Sequence, residues 1–146
     1  MYSNIPYAEV CASRTRSHTD FVVTVKATKN SGPNDAYFGV TCRKTGPNYF
    51  SLAINGNGEY RVYRSIGNVR ELLVSGASKA IKKGNVTNSL RASCIGSVLT
   101  LEVNNREVVQ VLDPYNQFGY FVGLVVGTDA EVGINVTFDN FDSFPP

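Results

Sequence analysis

The run Phe21–Thr28, FVVTVKAT, alternates. Phe21, Val23, Val25 and Ala27 fall on one side of an extended chain, and Val22, Thr24, Lys26 and Thr28 on the other. The same period of two recurs along the molecule. Phe38, Val40 and Cys42 share a face, as do Phe50, Leu52 and Ile54. Leu99, Leu101 and Val103 oppose Thr100, Glu102 and Asn104; Val109 and Val111 follow, and Ile134, Val136 and Phe138 close the pattern. Tyr120–Val126 is apolar on both faces, the mark of a central strand. No segment sustains a helical period. A single helical turn is expected around Ser78–Lys83, and no repeat of solenoid length is present.

Turn residues separate the alternating runs. Ser31-Gly32-Pro33-Asn34-Asp35 and Asp113-Pro114-Tyr115-Asn116 read as loops. Asn55-Gly56-Asn57-Gly58 supplies positions that tolerate positive φ; Gly96-Ser97 fits a type II′ turn and Asn104-Asn105 a type I′ turn. About eleven short strands at this spacing predict an all-β fold, a two-sheet antiparallel sandwich of the jelly-roll kind.

The 146 residues read as one sandwich domain, 1–146. A chain of this size buries roughly 70% of its unfolded surface. The net charge is +2, and the basic residues are scattered, so no nucleic-acid stripe forms. No apolar run reaches the ~20 residues that span a bilayer, so no direct membrane insertion is expected. The start, MYSNIPYAEV, has neither the basic segment nor the apolar stretch of a signal peptide. An exported form therefore carries its signal elsewhere, and the chain reads as a domain excised from a longer exported or membrane-anchored protein.

Three cysteines make an odd count. Strand parity puts Cys42 with Phe38 and Val40, and Cys94 with Leu90 and Ala92, both toward the core. A Cys42–Cys94 disulfide with Cys11 free is the expectation, with three unpaired thiols as the alternative. A disulfide implies an oxidising compartment.

Catalytic signatures are weak. Glycosidases work with two carboxylates flanking the bond. Glu59, Glu71, Glu102, Glu107 and Glu131 each lack a partner at a suitable offset. Asp139 and Asp142, in FDNFD, fall on opposite faces of a regular strand. His18, the only histidine, lies in the polar run RTRSHTD, a solvated setting. Zinc is not expected with one histidine and two core cysteines. No cofactor is required, with calcium the one candidate ion. Asp35, Asp129, Asp139 and Asp142, with Asn34 and Glu131 beside two of them, are its loop and strand-end ligand candidates.

GNGEYRVYR, residues 56–64, leads from a turn into a strand. Tyr60, Val62 and Arg64 alternate with Glu59, Arg61 and Tyr63. Two tyrosines and two arginines so close together suit either a binding surface or an exposed strand kept soluble.

The segments AYFGVTCR, PNYFSLAINGNGEYRVYR, ASKAIKKGNVTNSLRASCIGSVLTLEVNNREV, GYFVGLVVGT and VTFDNFD occur in this order between about Asp20 and Phe141. Together they resemble the concanavalin A-like lectin/glucanase superfamily. More narrowly, they are similar to laminin-G-like and DUF1080-like jelly-roll domains of bacterial extracellular proteins. Asn104-Asn105 stands where that pattern has Asn-Gly.

The resemblance implies a two-sheet jelly roll, an extracellular or cell-surface setting, and pairing of Cys42 with Cys94. It implies that Tyr60 and Val62 face the core, so Arg61 and Tyr63 point outward. In a jelly roll the outer surface of one sheet is concave. Arg43, Arg61, Tyr63 and Arg91 are the candidate ligand residues there, provided that their strands are neighbours. The expected function is a non-catalytic module binding a glycan or a cell-surface ligand. The alternatives are a structural, assembly or sensor ectodomain contacting other proteins and, third, a glycoside hydrolase-related domain. The sequons at Asn85 and Asn135 matter only in a glycosylating host.

Overall fold

A computed structural model describes residues 2–3, 8–10, 20–67, 69–113, 119, 121–127 and 133–146. Twelve strands run through them: β1 (Tyr2–Ser3), β2 (Ala8–Val10), β3 (Phe21–Ser31), β4 (Tyr37–Thr45), β5 (Asn48–Asn55), β6 (Glu59–Ile66), β7 (Val69–Ala77), β8 (Thr87–Ile95), β9 (Val98–Val103), β10 (Arg106–Leu112), β11 (Phe121–Gly127) and β12 (Ile134–Phe144). Pairing is antiparallel throughout and builds two six-stranded sheets. Sheet A has the order β1-β12-β3-β8-β9-β10, and sheet B the order β2-β11-β4-β5-β6-β7. The all-β sandwich expected from the alternation is the fold that forms.

The apolar member of each alternating pair faces the other sheet. Phe21, Val23, Val25, Leu90, Ala92, Leu99 and Leu101 of sheet A meet Phe38, Val40, Phe50, Leu52, Ile54 and Val62 of sheet B in one continuous core. Burying each such side chain contributes about 1.5–3 kcal/mol. β11 lies between β2 and β4 and is buried on both faces, as its apolar run predicts. The Asn104-Asn105 turn has φ of 52° and 68°, the paired positive values that a type I′ hairpin needs. Around Ser78–Lys83 there is a turn rather than a helix, closed by Ile81 N–H donating to the Ser78 carbonyl at 3.3 Å.

One end of the sandwich is stapled three times. The Cys42–Cys94 disulfide joins β4 to β8 through the core. Arg43 reaches from β4 to Asp20 at 3.0 Å, and Asp20 Oδ1 also accepts from the Gly96 N–H at 3.0 Å. Arg64, on β6, reaches Asp113 just past β10. Each staple ties sheet B to sheet A.

Two irregularities reset the strand parity. Arg43 is expected outward with Tyr37 and Thr41. It lies instead at an irregularity between Cys42 and Thr45 with φ 52°, and it is 1% exposed. The left-handed backbone turns the side chain inward to Asp20. The second is a bulge in β12 between Asp139 and Asp142. Asp139 pairs with Lys26 and Asp142 with Thr24, two residues apart on β3. Both carboxylates therefore share the outer face of sheet A, not opposite faces as regular alternation predicts.

Candidate functional site

The outer face of sheet B is built from alternate residues of its central strands. β5 contributes Tyr49, Ser51 and Ala53, and β6 contributes Arg61 and Tyr63. Register sets Ala53 beside Arg61 and Ser51 beside Tyr63. Val125 sits beside Gly39, and Gly127 beside Tyr37. The small residues Gly39, Ser51, Ala53 and Gly127 thus make a low floor. Tyr37, Tyr49, Tyr63 and Arg70 stand around it as a shallow depression.

Cations and rings are interleaved on this face. The Arg61 guanidinium lies over the Tyr37 ring, 4.4 Å from the centroid, and Nη1 donates to the Tyr63 hydroxyl at 3.0 Å. Arg70, on the neighbouring strand, lies over the Tyr63 ring at 4.0 Å. Lys44 approaches the Tyr49 ring at 5.6 Å. These are cation–π distances. Tyr37 is 8% exposed. Burial raises its phenol above the ordinary value, against the opposing pull of Arg61, so the hydroxyl stays protonated at neutral pH.

Of the four residues read from the sequence as ligand candidates, the structure brings two together. Arg61 and Tyr63 share the sheet B face. Arg43 belongs to the same sheet but is buried in its staple to Asp20; burial lowers its pKa, and Asp20 offsets part of that. Arg91 is on β8 in sheet A. Its guanidinium pairs with Glu102 at 3.2 Å and lies 5.6 Å from the Phe144 ring. Alternation gives the face of each strand but not its sheet, so it could not separate Arg91 from Arg61. Tyr37, Tyr49 and Arg70 are additions. The signal for Arg70 lies in the cross-strand register of β6 and β7, which one sequence does not show.

Sheet A carries a larger outer depression, about 250 Å³, bordered by Lys26, Ser89, Arg91, Glu102, Asn105 and Asn140. Its size exceeds that of the sheet B trough, but its chemistry is plainer: the Arg91 charge is paired, and the ring near it is Phe144. Volume alone does not define a sugar site. Planar groups and directed donors do, and these converge on sheet B.

Asp35, Asp139 and Asp142 are exposed, while Asp129, with Glu131, Cys11 and His18, lies outside the described residues. Among the described residues no three His, Cys, Asp or Glu side chains gather as metal ligands, and no helix is long and apolar enough to cross a membrane.

No family model matches the chain, and no curated protein sequence does. Solved structures do. The carbohydrate-binding module CBM66 from Bacillus subtilis superposes with a TM-score of 0.74 at 14% identity, over 95% of this chain and 82% of that one. Sheep galectin-11, in a complex with glycerol, gives 0.65 at 15% identity, over 96% of this chain and 98% of the galectin. A GH43 protein from Bacillus licheniformis gives 0.69 at 15% identity, over 95% of this chain but only 30% of that one. At these identities the likeness is one of fold. The class it defines is the two-sheet jelly-roll β-sandwich.

Proposed function

We propose that this chain is a non-catalytic glycan-binding module of an extracellular or cell-surface protein, and that it binds through the outer face of sheet B. The observation that carries the reading is the cluster of Tyr37, Arg61, Tyr63 and Arg70 over a floor of small residues. Directed polar groups backed by planar rings suit the hydroxyls and charged groups of a saccharide. The fold's likeness to a carbohydrate-binding module and to galectins supports it. The core disulfide suits an oxidising setting.

The test is a glycan-array screen of the oxidised domain, with calcium and with chelator. Saturable binding that survives chelation supports the sheet B site. Calcium-dependent binding moves the site to the acidic loops. A blank array removes the glycan reading.

A second reading has its own observation. Val69 and Leu112, on the edge strands β7 and β10, are 72% and 73% exposed. Apolar residues on open edges suit contacts with another protein chain. Light scattering at high concentration tests it: self-association supports an assembly role, and a clean monomer counts against it.

A further inference from the structure

The rings on sheet B do not present bare faces. The guanidinium of Arg70 covers Tyr63 at 4.0 Å, and that of Arg61 covers Tyr37 at 4.4 Å. A sugar stacking on either ring would compete for the face that the arginine occupies. The surface offered to a ligand is therefore guanidinium backed by an aromatic ring.

Charge points the same way. Among the described residues this face carries the cations Lys44, Arg61 and Arg70 against two acids, Glu59 at the far end of β6, already accepting from Asn55, and Glu9 on the edge strand β2, in register with Val125. Arginine and lysine side chains only donate hydrogen bonds. A neutral hydroxyl both donates and accepts, and the acceptors beside these guanidinium groups are chiefly tyrosine and serine hydroxyls. An oxyanion only accepts. Guanidinium forks also match the two oxygens of a carboxylate or sulfate. Stacking, with the Arg61–Tyr63 hydrogen bond at 3.0 Å, holds these forks in place before the ligand arrives and reduces the entropy lost on binding.

We propose that the sheet B face selects an anionic saccharide, a sugar bearing a carboxylate or a sulfate ester whose oxyanion lies against Arg61 and Arg70. The inference rests on the glycan-binding reading above and narrows it.

Two ligand pairs, each a charged saccharide and a neutral relative, test it by titration calorimetry. Trigalacturonate is compared with its methyl ester, and 3′-sulfated lactose with lactose, each at low and at physiological ionic strength. The expected result is that at least one charged member binds ~10-fold or more tighter than its neutral partner, and that added salt weakens it. The variant R61A/R70A should lose that preference, while R91A, on the other sheet, should keep it. The ligand pairs need no substitution, so the comparison stands whatever the double variant's stability. Equal binding within both pairs, or a preference unchanged in R61A/R70A, overturns the inference and leaves the glycan reading in place. No binding of any of the four ligands overturns the inference, and a blank array beside it overturns the glycan reading as well.

Discussion

The Arg61 guanidinium joins two tyrosines, lying 4.4 Å over the ring of Tyr37 and donating at 3.0 Å to the hydroxyl of Tyr63. The two tyrosines lie on β4 and β6, separated in the sheet by β5. This contact is on the surface, with Arg61 and Tyr63 half-exposed. Replacing both by alanine is expected to cost no more than about 1–2 kcal/mol, the worth of two surface cation–π contacts, Arg61 on Tyr37 and Arg70 on Tyr63. The thermal midpoint should fall by only several degrees, while glycan binding is lost. A loss of stability as large as that of a core substitution would mean that the pair holds the sheet together and is not a binding surface.

Arg64 and Asp113 do the opposite kind of work. Arg64 Nη1 donates to both carboxylate oxygens of Asp113, at 2.9 and 2.7 Å, and Asp113 is 3% exposed. Removing one partner of a buried pair leaves a desolvated charge. D113A is expected to destabilise by about 3–5 kcal/mol in denaturant unfolding. Arg64 also pairs with Glu71, whose side chain is 60% exposed. E71A should cost under about 1 kcal/mol. Equal costs for the two would contradict the assignment of Asp113 as the cross-sheet staple.

These two arginines show what the sequence made legible. Alternation marked β3, β5, β8 and β9 because each sends its large apolar side chains to the core face. It also put Cys42 and Cys94 on core faces, and the disulfide forms there. Parity failed where the backbone departs from the regular pleat. Arg43 turns inward at φ 52°, and the β12 bulge brings Asp139 and Asp142 to one face. β7, VRELLVSGA, shows no clean alternation. It is an edge strand with an irregular register opposite Val62 and Tyr63, so neither face is uniformly buried. Arg70 was hidden for the same reason. The separation of Arg91 from Arg61 depends on sheet membership, a long-range property that no local pattern carries.

The Cys42–Cys94 bond closes a loop with a sequence separation of 52. In the chain-entropy account such a cross-link stabilises by about 4 kcal/mol. Reduction, or the C42A/C94A variant, should lower stability by roughly that amount in denaturant titration. Free alkylation of three thiols in the denatured, unreduced protein would show that the bond is absent in solution.

Lys29 gives a pH-dependent signal. It is 2% exposed, and its ammonium donates to the Gly32 carbonyl at 2.8 Å and to Asn85 Oδ1 at 2.6 Å. Burial lowers its pKa from the ordinary 10.5. Between the lowered value and 10.5 the unfolded chain holds a proton that the folded chain has released, so this group's contribution to stability rises with pH through that window. Tyr37 acts in the opposite sense above 10.0, where the unfolded phenol ionises first. The difference in unfolding free energy between the native protein and K29M should therefore increase as the pH climbs toward 10.5. A difference that stays flat would contradict the buried ammonium.

The most direct test of the central claim is a map of amide chemical shifts during titration with the strongest glycan found on the array. The account predicts saturable shifts on the outer face of sheet B, at Tyr37, Ser51, Arg61, Tyr63 and Arg70, and their loss in the R61A/Y63A variant. Saturable shifts gathered instead around Lys26, Arg91 and Glu102 on sheet A would contradict it.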